Sequence, residues 1–386
     1  MERGALDGLL VVTLEQAVAA PLASSRLADA GARVIKLERA GEGDFARGYD
    51  TYAAGHSTYF TWLNRHKQSC TVDLKAGADI ALVKAMLAKA DVFIQNLGPG
   101  ATDRLGLGSA TLRALFPRLI TCDIRGFAAN TPDANRKAYD LMIQAEAGLA
   151  GVTGTEASGP SRVGVSICDI TTGMTAHAQI LEALFKRERT GQGSAISVAL
   201  FDVAAEAMNI PYIAARNGGP HARRIGLAHP SIAPYGAFQV GGGKQVVISI
   251  QNEREWVRFC ATVLERPALA QDPRFDRGSA RVENRAVLDP IVADIFAGLD
   301  YEAVVGRLRE AKIAYANLNG VADLLTHPAL RRAPLATPGG DVEVVANPIR
   351  FSDGEATFGA VPESGANTAA IRAEFAEPTL KSEAGE

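Results

Sequence analysis

The 386-residue sequence has little of what several classes of protein need. Its cysteines form no C-x-x-C pair, which favours reduced thiols in the cytoplasm over a disulfide framework; they are Cys70, Cys122, Cys168 and Cys260. The six histidines show no metal-ligand spacing, so we expect no metal site. The formal net charge of −3 offers no basic field for nucleic acid, and the apolar run at 9–14 is too short for a signal or membrane segment. We therefore expect a cytoplasmic protein without nucleic-acid or membrane partners, which holds any anion with a local cluster of cations.

The first half of the chain shows an alternation of strand and helix patterns. Short apolar runs predict strands, and helical spacing of apolar residues predicts helices between them; the strand runs lie at 9–14, 33–38, 70–74, 91–96, 119–124 and 194–198. Crossovers of this length favour parallel pairing, so we predict an α/β, doubly wound large domain over residues 1–210. The first strand-to-helix turn, Glu15–Pro21, lacks G-x-G-x-x-G, so this Rossmann-like domain has no dinucleotide fingerprint.

The pattern changes after residue 210. A linker at 211–228 leads to a smaller α+β domain at 229–324, which contains a hairpin at 235–250. Its Gly241–Gly243 turn joins two alternating strands, so we interpret it as a hairpin turn and not as a phosphate loop. The proline-rich segment 325–386 is expected to return as a linker and to pack its C-terminal part on the large domain.

Asp169 is the main candidate functional residue in the sequence. It follows a predicted strand at 163–167 and begins a helix that runs to Gly191. In open α/β sheets ligands bind at this edge of the sheet, but aspartate is also a common helix N-cap. Position alone therefore leaves chemistry and capping both open.

A series of short motifs runs in order along nearly the whole chain. They are G-E-G-D after Arg33–Glu38, Asp73–Lys75, Q-N-L-G-P-G with R-L-G-L, K-A-Y-D-L-M-I-Q-A at 137–145, and D-I-T-T-G-M from Asp169. Each motif is weak, but the series resembles the class III CoA-transferase family, which includes formyl-CoA transferase, carnitine CoA-transferase and the α-methylacyl-CoA racemases. The segment Arg224–Tyr235 most resembles the branch of itaconate, mesaconate and citramalate CoA-transferases.

This resemblance implies a mechanism and a set of contacts. Asp169 would attack an acyl-CoA thioester to give an aspartyl anhydride, which CoA thiolate converts into an aspartyl-CoA thioester. Coenzyme A and acyl-CoA are then substrates, no cofactor is permanently bound, and the protein is an interlaced homodimer. The helix N-terminus would keep Asp169 ionised and offer N–H donors to the developing oxyanion. The CoA contacts carried over by motif are Arg39, Leu74, Lys75, Asn96, Arg104 and Lys137.

Two departures from formyl-CoA transferase affect the acid-binding residues. Val18 stands where that enzyme has glutamine, and G-L-A-H-P-S-I replaces its glycine-rich loop, so Gln16 and His229 are expected to contact the acid instead. A short dicarboxylate also needs a cation for its second carboxylate, because burying that charge unpaired is costly. We rank Arg47 first, since a guanidinium can hold a carboxylate with two parallel bonds.

Three alternatives remain at this point. The same fold supports α-methylacyl-CoA epimerisation, but Tyr139 stands where racemases carry a histidine, and a tyrosine hydroxyl is a poor proton shuttle at neutral pH. A non-catalytic CoA-binding protein would have an inert Asp169. Cys168, next to Asp169, is a rival nucleophile because thiols are intrinsically reactive.

Overall fold

A computed structural model describes residues 4–219, 221–350, 352 and 357–376 of the chain. The chain forms two compact units. The first contains the residues up to Leu149, then Arg162–Ile210, and the chain from Arg331 onward; the second contains Ala150–Ser161 and Pro211–Leu330. The stretch 150–161 was assigned from the sequence to the large domain. It groups instead with the second unit because Thr155 forms a β-bridge with Ile225.

The strands are, in chain order, β1 (Leu10–Leu14), β2 (Arg33–Arg39), β3 (Lys67–Val72), β4 (Val92–Gln95), β5 (Ile120–Arg125), β6 (Gly154–Thr155), β7 (Gly159–Pro160), β8 (Ala195–Ala199), β9 (Tyr235–Gln239), β10 (Gln245–Ser249), β11 (Ala314–Asn317), β12 (Arg332–Thr337) and β13 (Gly340–Val345).

The α-helices are α1 (Ala19–Asp29), α2 (Thr58–Leu63), α3 (Gly77–Leu87), α4 (Ala101–Arg104), α5 (Ser109–Leu115), α6 (Asp140–Glu146), α7 (Leu149–Val152), α8 (Ile167–Thr190), α9 (Leu200–Ala207), α10 (Asn209–Arg216), α11 (Glu253–Arg258), α12 (Gly278–Glu283), α13 (Arg285–Ala297), α14 (Tyr301–Glu310), α15 (Val321–Leu325) and α16 (Thr368–Phe375). No helix of the described residues combines the length and the apolarity needed to cross a membrane.

A six-stranded parallel sheet forms the centre of the first unit, in the order β3-β2-β1-β4-β5-β8. Successive strand residues point to opposite faces, so Val11 packs in the core with α1 and α8, while Val12 packs in the core with α3 and α5. Burial on both faces explains the nearly continuous apolar runs of the sequence. The predicted α/β class with a parallel sheet is therefore confirmed. The strand order reverses between β1 and β4, which is where ligands bind in such sheets.

The second unit is built on the antiparallel sheet β11-β10-β9. Strands β9 and β10 form the predicted hairpin, with Gln239 opposite Gln245. Its turn contains Gly242 and Gly243, both with positive φ, a conformation that glycine adopts without a steric penalty. The interpretation of this glycine run as a hairpin turn is confirmed. Helices α11, α13 and α14 contribute to the apolar core beneath the sheet.

The strand predicted at 163–167 is wrong. Helix α8 begins at Ile167, and residues 161–166 have no regular structure. The Val163 N–H donates to the Gln144 side chain at 2.8 Å, and Val165 is 54% exposed. Alternation of apolar and small residues gives a strand only where a neighbouring strand has free backbone groups, and none of the strands in the described part of the chain pairs with this segment.

The end of the chain covers the edge of the first unit's sheet at β3. Asn367 exchanges hydrogen bonds with Ser69: its Oδ1 accepts from the Ser69 N–H at 3.0 Å, and its own N–H donates to the Ser69 carbonyl at 2.9 Å. The Thr71 N–H donates to the Thr368 hydroxyl oxygen at 2.9 Å. An exposed strand edge can pair with another chain, and these contacts satisfy its backbone donors within the same molecule.

Candidate active site

A cleft opens where β1, β4 and β5 end at their carboxyl termini. The Asp169 cleft, as we call it, is lined by Gln16, Val18, Asn96, Arg125, Lys137, Tyr139 and Asp169, among others. A second depression, the Lys75 pocket, is lined by Arg39, Leu74, Lys75 and other residues, and it shares Gln16 and Leu97 with the cleft. Most of the site residues predicted from the sequence therefore gather in two adjacent hollows along one edge of the sheet.

Asp169 lies in the first turn of α8. Burial, together with the negative charge of Asp140, raises the pKa of this carboxyl to about 7. Desolvation and a like charge therefore oppose the ionisation of Asp169 that was expected from its place at the helix N-terminus. A carboxylate with a pKa near neutrality is more basic than an ordinary aspartate, which suits attack on a carbonyl.

Asp140 is a site residue that was missed from the sequence. It is only 7% exposed, and its Oδ1 accepts hydrogen bonds from the backbone N–H groups of Cys168 and Asp169, at 2.8 and 3.2 Å. Its Oδ2 accepts from Gln144 at 2.7 Å. These two N–H groups of α8 are therefore not offered to an oxyanion, contrary to expectation. The sequence does show this aspartate in the K-A-Y-D motif. Only the tertiary structure places it beside the first turn of α8.

The first strand-to-helix turn is held from two sides. The Asn96 side chain accepts from the Gln16 N–H and donates to the Gln16 carbonyl, both at 2.8 Å. Ala17 has a positive φ of 62°, and its N–H donates to Asp44 Oδ1 at 3.1 Å. Asn96 lines the cleft while its amide positions this turn, and its expected contact with CoA stays a prediction. Helix α1 then starts at Ala19 without a side-chain cap, beside the cleft.

A buried ion network lies beneath this turn and was not predicted. It consists of Glu15, Lys36, Asp44 and Lys67, whose side chains are fully buried. Lys36 pairs with Asp44 at 2.8 Å, and Lys67 pairs with Glu15 at 2.6 Å. Because Asp44 also holds the Ala17 N–H, the network fixes the backbone that forms one wall of the cleft.

Arg47 does not line the cleft, which corrects the expectation that it grips a substrate carboxylate. Its guanidinium makes two hydrogen bonds to the Glu38 carboxylate, at 2.8 and 2.7 Å, and stacks 3.7 Å from the centre of the Phe60 ring. The fork that was expected to hold a ligand is occupied by a carboxylate of the protein itself. Burial acts to raise the pKa of Glu38, but Arg47, the charge of Lys36 and the Ser69 hydroxyl outweigh burial and lower this pKa to about 2.

The remaining predicted residues lie in three places. Lys137 and the 59% exposed Tyr139 lie in the loop before α6 and line the cleft with Val18. Arg104 is exposed at the end of α4 and lines neither hollow; its Nη1 is 3.4 Å from the Pro99 carbonyl oxygen. His229 belongs to the second unit, where its ring stacks on Tyr235 at 5.1 Å.

Cys168 is a poor rival to Asp169. It is 2% exposed, and burial raises the pKa of its thiol to about 12, with the charges of Asp140 and Asp169 adding to the rise. The thiolate is the reactive form, and this thiol stays protonated at physiological pH. Across the described ranges of the chain, no three His, Cys, Asp or Glu side chains are grouped to hold a metal ion.

Comparison with known proteins agrees with this geometry. Residues 6–368 match the model of CoA-transferase family III. The chain is 34% identical over 382 residues to the acetyl-CoA:oxalate CoA-transferase of Acetobacter aceti, covering 98% of each protein. It is 31% identical to the succinyl-CoA:mesaconate CoA-transferase of Haloarcula hispanica, covering 91% of each. A solved structure of a CAIB/BAIF family protein from Brucella suis is 34% identical with a TM-score of 0.82, covering 97% of this chain and 100% of that one. The protein therefore belongs to CoA-transferase family III and is a CoA-transferase.

Proposed function

We propose that this protein moves CoA between a short acyl-CoA and a dicarboxylic acid of four or five carbons, such as itaconate, mesaconate or citramalate. Succinyl-CoA or a similar dicarboxylyl-CoA is the proposed donor. The observation that carries the proposal is Asp169, a largely buried carboxyl with a pKa of about 7 in a cleft at the ligand-binding edge of the sheet.

In the proposed reaction, Asp169 acts as a covalent nucleophile. Its carboxylate oxygen attacks the thioester carbonyl, the C–S bond breaks, and CoA leaves as a thiolate from an aspartyl anhydride. The thiolate then attacks the Asp169 carbonyl carbon, so that the first acid leaves as a carboxylate and an aspartyl-CoA thioester remains. The acceptor carboxylate repeats these two steps in reverse order, which restores Asp169.

The oxyanion formed in each step needs N–H donors. Since Asp140 takes the N–H groups of Cys168 and Asp169, we propose that the uncapped start of α1 supplies them. Val18 and Ala19 line the cleft, and neither backbone N–H donates to a described residue. Preorganised donors of this kind stabilise developing negative charge more than water does.

The Lys75 pocket is the proposed site for the nucleotide end of CoA. Arg39 is the last residue of β2, Lys75 follows the end of the neighbouring β3, and Leu74 adds an apolar side chain to the lining of the same pocket. The exposed Arg39 is paired with Glu42 at 2.8 Å, and a phosphate is a stronger acceptor that can replace this partner. The pantetheine chain would pass Gln16 and Leu97, which line both hollows.

The named relatives and the charge balance of the site support the proposed substrate class. The compared relatives are named for oxalate and mesaconate, which are both dicarboxylic acids. A second carboxylate inside the cleft requires a cation, and the cleft wall contains Arg125, Arg136 and Lys137. The epimerase alternative would need a proton shuttle at the position of Tyr139, and a phenol is in general a poor proton shuttle.

We also propose that the protein is an interlaced homodimer. Helix α10, at the crossing from the first unit to the second, has no buried residue, and Ile210, Tyr212 and Ile213 are 82%, 63% and 56% exposed. Large apolar side chains grouped on one short helix are typical of an interface. Light scattering should give a dimer that does not dissociate on dilution; a native monomer that appears with dilution contradicts this part of the proposal.

Mass spectrometry after incubation with succinyl-CoA tests the mechanism. We expect an adduct on Asp169 with the mass of CoA less water in the wild type and in Cys168→Ala, and no adduct in Asp169→Ala. Asp169→Ala should also lose transfer by several orders of magnitude, whereas its affinity for CoA should remain. An Asp169→Ala variant that still forms the adduct, or a Cys168→Ala variant that fails to form it, rules out this nucleophile.

A further inference from the structure

Arg125 is the last residue of β5, and it lines the Asp169 cleft. Its side chain is 22% exposed, and its buried Nε has no hydrogen-bond partner. Among the described residues its one ionic neighbour is Asp123, with Nη2 and Oδ2 separated by 3.6 Å. A buried donor without a partner is costly, so this guanidinium is prepared for an acceptor that comes from outside the chain.

Asp123 does not fill that role. Its Oδ1 accepts a hydrogen bond from the Gln95 amide at 2.8 Å, and its Oδ2 accepts from the Ser109 hydroxyl at 2.9 Å. Both oxygens are thus satisfied by neutral donors on other elements. The distance of 3.6 Å to Arg125 is longer than that of a charge-assisted hydrogen bond. Asp123 therefore balances the charge of Arg125 at short range without occupying its fork.

The other cations of the cleft differ from Arg125 in their surroundings. Arg136 hydrogen-bonds both Asp133 and Glu146, and it lies 4.9 Å from the centre of the Phe127 ring. Lys137 is exposed and carries a compact ammonium, which cannot form two parallel bonds to one carboxylate. Arg125 is the guanidinium of the described cleft wall whose fork is not occupied by a carboxylate of the protein.

We propose that Arg125 binds the free carboxylate of the dicarboxylate substrate while the other carboxyl reacts at Asp169. This inference rests on the proposed function and names the residue that selects its substrate class. The competing anion is a phosphate of CoA. Arg39 and Lys75 lie in the other hollow, whereas Arg125 shares its hollow with Asp169, so its position favours the acid.

The test compares a diacid with its half-amide, in which the second carboxylate is replaced by a neutral amide of similar size. Succinate and succinamate, or the equivalent pair of the acid that wild type prefers, are used with one acyl-CoA donor. Wild type should prefer the diacid by about 10- to 100-fold in kcat/KM, as expected for a charged hydrogen-bonded pair. In Arg125→Gln this preference should fall to within about twofold. Arg125→Lys should lie between them, because it keeps the charge but not the two parallel bonds.

Two controls separate this role from a structural one. Arg118→Gln changes the same residue type at the other end of β5, where the guanidinium is exposed, and it should keep the preference for the diacid. The affinity of each variant for CoA, measured by calorimetry, should stay within about threefold of wild type. Thermal unfolding confirms that each variant is folded, and Arg125→Lys serves as the readout if Arg125→Gln is not.

The outcomes are distinct. The inference is overturned if wild type does not discriminate between diacid and half-amide, or if the Arg125 variants keep the wild-type preference. It is also overturned if these variants lose CoA affinity instead, since Arg125 then serves a phosphate. If wild type transfers CoA to no acid at all, the proposed function fails, and that result is separate from any effect of Arg125.

Discussion

Replacing Asp140 by asparagine should move the pH dependence of CoA transfer to lower pH. Asp169 must be ionised to attack, so activity is expected to fall as the pH drops below the Asp169 pKa of about 7. Asparagine keeps an oxygen that can accept from the N–H groups of Cys168 and Asp169, at 2.8 and 3.2 Å in the present structure. It removes the negative charge that opposes ionisation of Asp169. The asparagine amide nitrogen takes the place of Oδ2, so the hydrogen bond from Gln144 is lost while the bonds to α8 can remain. The nucleophile should therefore ionise at a lower pH.

The size of the shift follows from the order of its two causes. Burial contributes more than the charge of Asp140 to the rise from 3.8 to about 7. Removing the charge should therefore reverse less than half of this rise, and the midpoint of the variant should remain well above 3.8. At pH values below the wild-type midpoint the variant should retain more of its own maximal activity than wild type does.

The assay is kcat/KM for the acyl-CoA donor between about pH 5 and about pH 9, which reports the ionisation of the free enzyme. Asp133→Asn is the matched control, because it removes an exposed charge paired with Arg136, and its profile should coincide with that of wild type. An Asp140→Asn profile that is unshifted, or shifted to higher pH, would show that the Asp140 charge does not act on Asp169 as the structure indicates.

Three further predictions concern stability. Because the pKa of Asp169 is raised in the folded state, its ionisation opposes folding above about pH 7 and has no effect below about pH 4. Asp169→Asn should therefore raise the free energy of unfolding at pH 8 by up to about 4 kcal/mol. Denaturant titrations at decreasing pH should show this gain becoming smaller. Asp44→Ala should lower the free energy of unfolding by about 3–5 kcal/mol, since it leaves Lys36 buried without its partner at 2.8 Å, whereas Glu42→Ala, on an exposed pair, should change it little. Asn367→Ala should cost about 1–3 kcal/mol in the same measurement, because the Ser69 N–H at the strand edge loses its acceptor; an unchanged value would show that water replaces it.

The sequence by itself determined the parallel sheet and the edge at which the site lies. Apolar runs buried on both faces gave strand positions within a few residues: the run at 33–38 became β2 at Arg33–Arg39, and that at 119–124 became β5 at Ile120–Arg125. The same pattern placed Lys75 just after a strand and Asp169 in the first turn of a helix, although the strand predicted before Asp169 is absent from the structure. These features are local, because the period of the side chains along one segment is enough to specify them.

The tertiary structure alone decided what each polar side chain does there. Arg47 was expected to hold a substrate, yet Glu38 takes its guanidinium. The Asn96 amide also holds the Gln16 backbone, a contact that the sequence did not predict. Asp140 lies 29 residues before Asp169 in the sequence and still sets the environment of its carboxyl. Hydrogen bonds and charges depend on distances between atoms that are remote along the chain. Spacing in the sequence does not carry such distances, so the partners of these groups, and the pKa of the nucleophile, are fixed only when the sheet brings its strand ends together.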